Sequence, residues 1–173
     1  KGIILQAHLD MVPQKNADTV HDFEKDPIET YVDNGWVRAK GTTLGADDGL
    51  GAAAAMGVLA AKNLEHGPIE GLFTIDEETG MTGANQLKPG VLKGDILLNM
   101  DSETEGELYV GCAGGIDTNG CWTPKMEKVA DGMTAFQLIV KGLKGGHSGM
   151  DINLGRGNAN KIMNTLLIMT SQK

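Results

Sequence analysis

This chain of 173 residues is short of cysteine, of cations and of long apolar runs, and each shortage excludes something. Two cysteines, Cys112 and Cys121, cannot build a disulfide framework and do not have the spacing of a metal site. Free thiols in a reducing cytosol are the reading that fits. Lys and Arg number 15 against 23 Asp and Glu, for a formal net charge of -8. A phosphate-rich surface would repel such a chain, so neither nucleic acid nor an anionic membrane is an expected partner. No apolar stretch approaches the ~20 residues of a membrane-spanning helix, and no secretory signal is visible. The chain also lacks an initial Met: it opens at Lys1 straight into an apolar run and stops at Lys173 just past another, so it reads as a piece of a longer protein. What is left is ordinary globular composition, 40% apolar and 22% charged, which is enough for a core of its own.

What is present in quantity is glycine and acid, concentrated in a few places. The stretch 41–51, GTTLGADDGLG, places Asp47 and Asp48 between glycines and just ahead of an Ala-rich segment. Glycines allow tight backbone geometry beside a ligand. The stretch lacks the Gly-Lys-Ser/Thr ending of a phosphate-binding loop, which rules out nucleotide binding there. A carboxylate pair in this setting suits a cation better than a core, and Asp47 is the hinge of the candidate site.

Taken in order, residues 2–7 form a continuous apolar run with the pattern of a strand buried on both faces of a parallel sheet. It ends in His8-Leu9-Asp10. Residues two apart on a strand point to one side, so His8 and Asp10 are candidates for a shared pocket at the strand's carboxyl end, where open α/β sheets hold ligands. Residues 11–33 read as a long surface loop with His21 facing solvent. Residues 36–39 form a short strand and 50–64 an Ala-rich helix, with His66 in a capping or surface role near its end. A strand over 69–75 runs into Asp76-Glu77-Glu78, a short helix covers 81–87, and a strand over 95–99 is followed by Asp101 and Glu103. An acidic run alone fits a solvated face. Here it is the third strand end to carry acids, and the alternation of strand, acidic end and helix is the grammar of an α/β sheet, whose carboxyl ends share one edge. From residue 111 the texture changes. Glycines 111, 114, 115 and 120 make a connection, residues 136–141 (FQLIVK) alternate as a half-exposed strand does, and a helix from about 158 to 171 follows a second Gly-rich segment, 142–149, that holds His147. A domain boundary is expected near 114–117.

His8, Asp47, Glu78 and Asp101 are therefore one imidazole and three carboxylates, each just past a strand or at a helix entry. Such donors suit Zn²⁺, with Mn²⁺ or Co²⁺ possible, better than Ca²⁺. A carboxylate shared by two ions would make a two-metal hydrolytic site, with another carboxylate kept off the metals as base.

Five segments carry a resemblance that covers nearly the whole chain: HLDMVP at 8–13, GTTLGADDGLG at 41–51, DEETGMTGA at 76–84, NMDSETEGELYVGCAGG at 99–115 and KGGHSGMDINLGRGNAN at 144–160. In this order they resemble the bacterial aminoacyl-histidine dipeptidases, carnosinase-like cytoplasmic metallopeptidases of a clan that includes carboxypeptidases and aminoacylases. The resemblance implies an α/β fold: a partial catalytic domain over 1–114, with a mixed, mainly parallel sheet flanked by helices, then the first part of an α+β lid domain over 115–173. It implies a dipeptide substrate, two zinc ions and a homodimer formed through the lid. His8, Asp47 and Asp101 would hold one zinc, and the bridging Asp47 with Glu78 the second. Asp10 would orient the His8 imidazole, Glu77 would serve as general base, and the Asp47-Asp48 peptide would be cis. His147 would help hold the substrate or its oxyanion; on its own it fits a turn histidine as well. The second zinc of such enzymes needs a His from beyond the lid, and nothing here takes that place. The chain alone is thus expected to bind one ion well and a second weakly, and to hydrolyse little. An N-acyl amino acid deacylase or a tripeptidase of the same clan would share the metal residues. A non-catalytic metal-binding or dimerisation module is the reading from another class.

Overall fold

The computed structural model describes residues 1–112, 114–116, 118–147 and 151–171. They divide into two compact units, Lys1–Tyr109 and Val110–Lys173.

In the first unit the opening apolar run is β1 (Ile3–His8), with Ile4, Leu5, Ala7 and His8 all buried. A strand covered on both faces must sit between neighbours, and β1 lies between β4 (Ile69–Thr74) and β5 (Ile96–Asn99), parallel to both. The register pairs His8 with Thr74 and Gln6 with Asn99, so all three strands deliver their carboxyl ends to the same edge. The Glu70 carboxylate accepts the N–H groups of Lys93 and Gly94, which fixes the entry to β5. Helix α1 (Ala46–Ala60) packs on β1 and β4 through Gly51, Ala52 and Ala55. Small side chains let a helix backbone approach a sheet closely, and burial of so small a face still removes apolar area at ~25 cal/mol per Å². Helix α2 (Thr82–Asn85) is one turn beyond β4. The fold is thus mixed α/β, with a mainly parallel sheet flanked by helices.

Several expectations shift. Helix α1 begins at Ala46 rather than 50, with non-helical φ/ψ at Asp47 and Asp48, and it ends at Ala60, where Ala61 turns extended to start the return toward β4. Residues 30–33, assigned above to a surface loop, form β2 (Thr30–Asp33), an antiparallel hairpin with β3 (Trp36–Ala39). The turn is Asn34-Gly35, both at positive φ (49° and 83°), the pair that favours a tight two-residue hairpin. His21 is not solvent-facing: it is half-buried and packs edge-on against Phe23, with ring centroids 4.5 Å apart. His66 lies exposed in the loop after α1, its Nδ1 against the Gly67 carbonyl.

The second unit carries a 3-10 turn at Ile152–Leu154 and α3 (Ala159–Ser171). Its described residues contain no strand, so the alternation at 136–141 does not become one. Alternation makes a face, but a strand also needs a neighbour to exchange backbone hydrogen bonds with, and none of the described residues here supplies it; Phe136 stays 89% exposed.

Candidate metal centre

The carboxyl edge of the sheet collects the acidic groups because the strands are parallel. His8 is the last residue of β1 and is fully buried, Asp101 follows β5, and Asp47 sits in the break at the start of α1. Their ligand atoms lie within 4.8 Å of one another. His8 Nε2 is 3.0 Å from Asp47 Oδ1 and 3.8 Å from Asp101 Oδ2. Donors of a tetrahedral zinc at ~2.1 Å from the ion are themselves about 3.4 Å apart, so the spacing accommodates one such ion.

The hydrogen bonds around His8 add a stronger test. Its Nδ1 is 2.9 Å from the backbone carbonyl of Asp10, which can only accept, so Nδ1 carries the proton. In the neutral imidazole Nε2 then presents a lone pair to two carboxylates, which is repulsive unless a proton or a cation lies between them. Burial by itself would lower the His8 pKa, but the hydrogen bond to Asp47 and the charge of Asp101 carry it above its ordinary value. Burial, with the Asp47 carboxylate beside it, pushes Asp101 up to about 7. Too much negative charge is confined here for the edge to stay fully ionised without a counter-ion.

Asp10 stands at the other ring nitrogen of His8 and reaches it by two groups. Its carbonyl orients the imidazole, while Oδ1 stands 3.5 Å from Nδ1. The carboxylate also accepts the main-chain N–H groups of Glu77 and Glu78, at 3.1 Å each. Burial would raise its pKa, but these two donors outweigh it and hold the group below its usual value. Asp10 therefore links the histidine to the loop after β4. That loop is folded on Asp76, at φ 61°, whose carboxylate accepts the hydroxyls of Thr79 and Thr82.

Glu77 and Glu78 diverge. Glu77 lines a cavity of about 220 Å³ together with Asp101, Thr74, Asn99 and Gln6. The cavity floor is a polar chain across the sheet, from Thr74 to Gln6 to Asn99 to the N–H of Asp101. Glu78 lies outside the three-residue cluster but feels it: burial, then the charges of Asp47 and Glu77, raise its pKa. His147 belongs to the second unit, where its N–H donates to Asp151 Oδ2 at 3.0 Å. There it lines a cleft of about 290 Å³ with Lys144, Asp151 and Arg156.

The carboxylate pair at 47–48 was expected to face a cation rather than a core, and Asp48 departs from that: its carboxylate is buried and accepts main-chain N–H groups. The Asp47-Asp48 peptide is cis, and the Asp48 side chain turns inward to 3% exposure. Burial raises its pKa against the pull of the His8 N–H. Its position inside a glycine run was the one available signal, because an acid that cannot reach solvent must be accepting hydrogen bonds.

Comparison with known proteins places this arrangement. Residues 4–152 match peptidase family M20/M25/M40. The chain is 59% identical over 163 residues to the cytosol non-specific dipeptidase of Escherichia coli (strain K12), covering 94% of this chain and 34% of that protein. It is 36% identical over 105 residues to the uncharacterized protein YqjE of Bacillus subtilis (strain 168), covering 58% of this chain and 26% of that one. The crystal structure of aminoacylhistidine dipeptidase from Vibrio alginolyticus superposes with a TM-score of 0.65 at 55% identity, over 96% of this chain and 34% of that chain. The chain therefore spans about a third of the length of the dipeptidases it matches.

Proposed function

This chain belongs to peptidase family M20/M25/M40, and from that membership we propose that the protein it represents is a metal-dependent dipeptidase. The two dipeptidases it matches are named for broad specificity and for aminoacyl-histidine substrates. The substrate class that follows is unblocked dipeptides, Xaa-His among them. The name of the Escherichia coli relative also supports a cytoplasmic location, and a homodimer formed through a lid that begins in the second unit completes the reading.

The observation that carries the proposal is the convergence of His8 Nε2, 3.0 Å from Asp47 Oδ1 and 3.8 Å from Asp101 Oδ2, with all three ligand atoms within 4.8 Å of one another, a donor set that suits a divalent cation. His8, Asp47 and Asp101 would hold one divalent ion, zinc being the one their donor set suits, and Asp47 with Glu78 would contribute to a second position. A bound divalent ion supplies Lewis acidity for the scissile carbonyl and for the attacking water. Glu77, which opens onto the cavity beside Asp101, takes the proton from that water and returns it to the leaving amine. Asp10 keeps Glu77 and Glu78 at fixed height above the edge through their main-chain N–H groups. His147 would help hold the substrate or its oxyanion.

Calorimetric titration of the 173 residues with Zn²⁺ tests the metal assignment. One tight site, abolished by His8→Ala, is expected. Two equally tight sites, or an unaltered isotherm in His8→Ala, would overturn it.

A further inference from the structure

The spacing of the three clustered side chains has to be set by something, because they come from segments that share no sequence neighbourhood. The sheet itself stops short of doing it. Leu9 N–H bonds Thr74 O on the β4 side of β1, so the N–H of the preceding His8 faces the β5 side. There the ladder has already ended: its last register pair is Gln6 with Asn99, and Met100 N–H goes to Gln6 O. A buried N–H with no strand opposite it must find another acceptor. It finds Asp48 Oδ2 at 3.1 Å, while Asp48 Oδ1 accepts the N–H of Gly51 in the first turn of α1, also at 3.1 Å.

We propose that Asp48 is the positioning residue of the metal centre: its buried carboxylate stands in for the missing strand, ties the main chain of His8 to α1, and thereby fixes His8 against Asp47. Gly51 completes the junction from the third side. A Cβ at position 51 would run into the Asp48 carboxylate and come within 2.8 Å of Met100 Cβ, the residue before Asp101. Glycine there lets the end of β5 close onto the same point, so the three ligand-bearing segments meet at Asp48 and Gly51. Asp48 is not itself a ligand in this arrangement, since both oxygens are spent on N–H groups and the side chain is shut from the edge.

The inference rests on the metal reading above, and its test separates the two. The first measurement is Co²⁺ and Zn²⁺ affinity, with the visible Co²⁺ spectrum, for this chain and for Asp48→Ala, Asp48→Asn, Gly51→Ala and Leu5→Ala. Asp48→Ala and Gly51→Ala should weaken binding by about 10-fold or more and alter the Co²⁺ band shape. Asp48→Asn, which keeps one acceptor oxygen, should fall between Asp48→Ala and the parent. Leu5→Ala, a core truncation in β1 whose register partners are Gly71 and Leu98, should lose stability while its affinity per folded molecule stays within about twofold of the parent. Unchanged affinity and spectrum in Asp48→Ala, or an equal loss in Leu5→Ala, would sink the proposal. The second measurement needs no variant to fold. In the metal-free parent the His8 amide proton should exchange as slowly as that of Leu5, and exchange at an open-loop rate would overturn the assignment. A parent that binds no metal but protects the His8 amide refutes the metal reading and leaves the Asp48 junction standing.

Discussion

Two glycine-rich segments of this chain look alike on paper, each with a candidate site residue among its glycines, and they are held in different ways. The stretch 41–51 is fastened from several directions. Gly41 O accepts the Asn16 N–H at 2.8 Å, Thr43 N–H reaches Gln14 O at 2.8 Å, and Asp48 and Gly51 lock onto β1 and the end of β5. Among the described residues of 142–147 the ties are local: His147 N–H goes to Asp151, and Arg156 bonds Asp151 Oδ2 at 2.7 Å and Gly145 O at 2.5 Å. The first segment is positioned by a sheet, the second by its own neighbours a few residues on. Exact placement of a reactive group comes from contacts across long sequence separations, because local contacts fix a turn's shape and leave its aim free.

That contrast can be broken or sharpened by experiment. The largest effect is expected at the edge held by the sheet: Glu77→Gln in the longer protein should lower kcat by about 10²- to 10⁴-fold with metal content unchanged. Measured kinetics and metal analysis that show full activity would leave only a binding module. Next comes stability. Leu5→Ala, at a position 7% exposed in β1, should cost about 2–4 kcal/mol in a denaturant melt. Phe136→Ala, at a position 89% exposed in the second unit, should stay within about 0.5 kcal/mol. Equal losses would mean that the second unit has a core after all.

A pH effect follows from Asp101. Its folded pKa, about 7, lies above its ordinary value of 3.8, so folding takes up a proton between those limits. In metal-free protein the group therefore costs stability progressively as pH rises from 3.8 through 7. The melting temperature of Asp101→Asn relative to the parent should climb across that window in chelator and flatten when Zn²⁺ is present. The smallest expected effect is Arg156→Ala, which removes a solvent-screened ion pair with Asp151 and should leave the melting temperature nearly unchanged. The Asp151 pKa is held below its ordinary value, first by the His147 N–H, so what this acid contributes is present above pH 3.8 and lost only below it. An Arg156→Ala difference that appeared between pH 5 and 8 would point to another group.

Much of the parallel core was legible in the order of residues. Ile3, Ile4, Leu5 and Ala7 are apolar without strict alternation, which points to a strand needing cover on both faces. Acids after three such strands imply a common edge as soon as the strands are parallel. The hairpin is legible too, in Asn34-Gly35, although the prolines and charges of residues 11–33 give that stretch the composition of a loop. The alternation at 136–141 misled in the opposite direction, since it described a face for which the described residues offer no partner.

The sequence by itself determined which donors are present, their order, and the strand and helix patterns that carry them, because side-chain chemistry and hydrophobic period are properties of neighbours along the chain. Only the tertiary structure decided that His8 Nε2 faces Asp47 and Asp101, that Asp10 holds the Glu77-Glu78 main chain, and that Asp48 closes the end of β1. The reason is physical. Each of these contacts joins residues roughly 40 to 90 positions apart, and their ångström-scale geometry is set by strand register and by where a ladder of hydrogen bonds runs out.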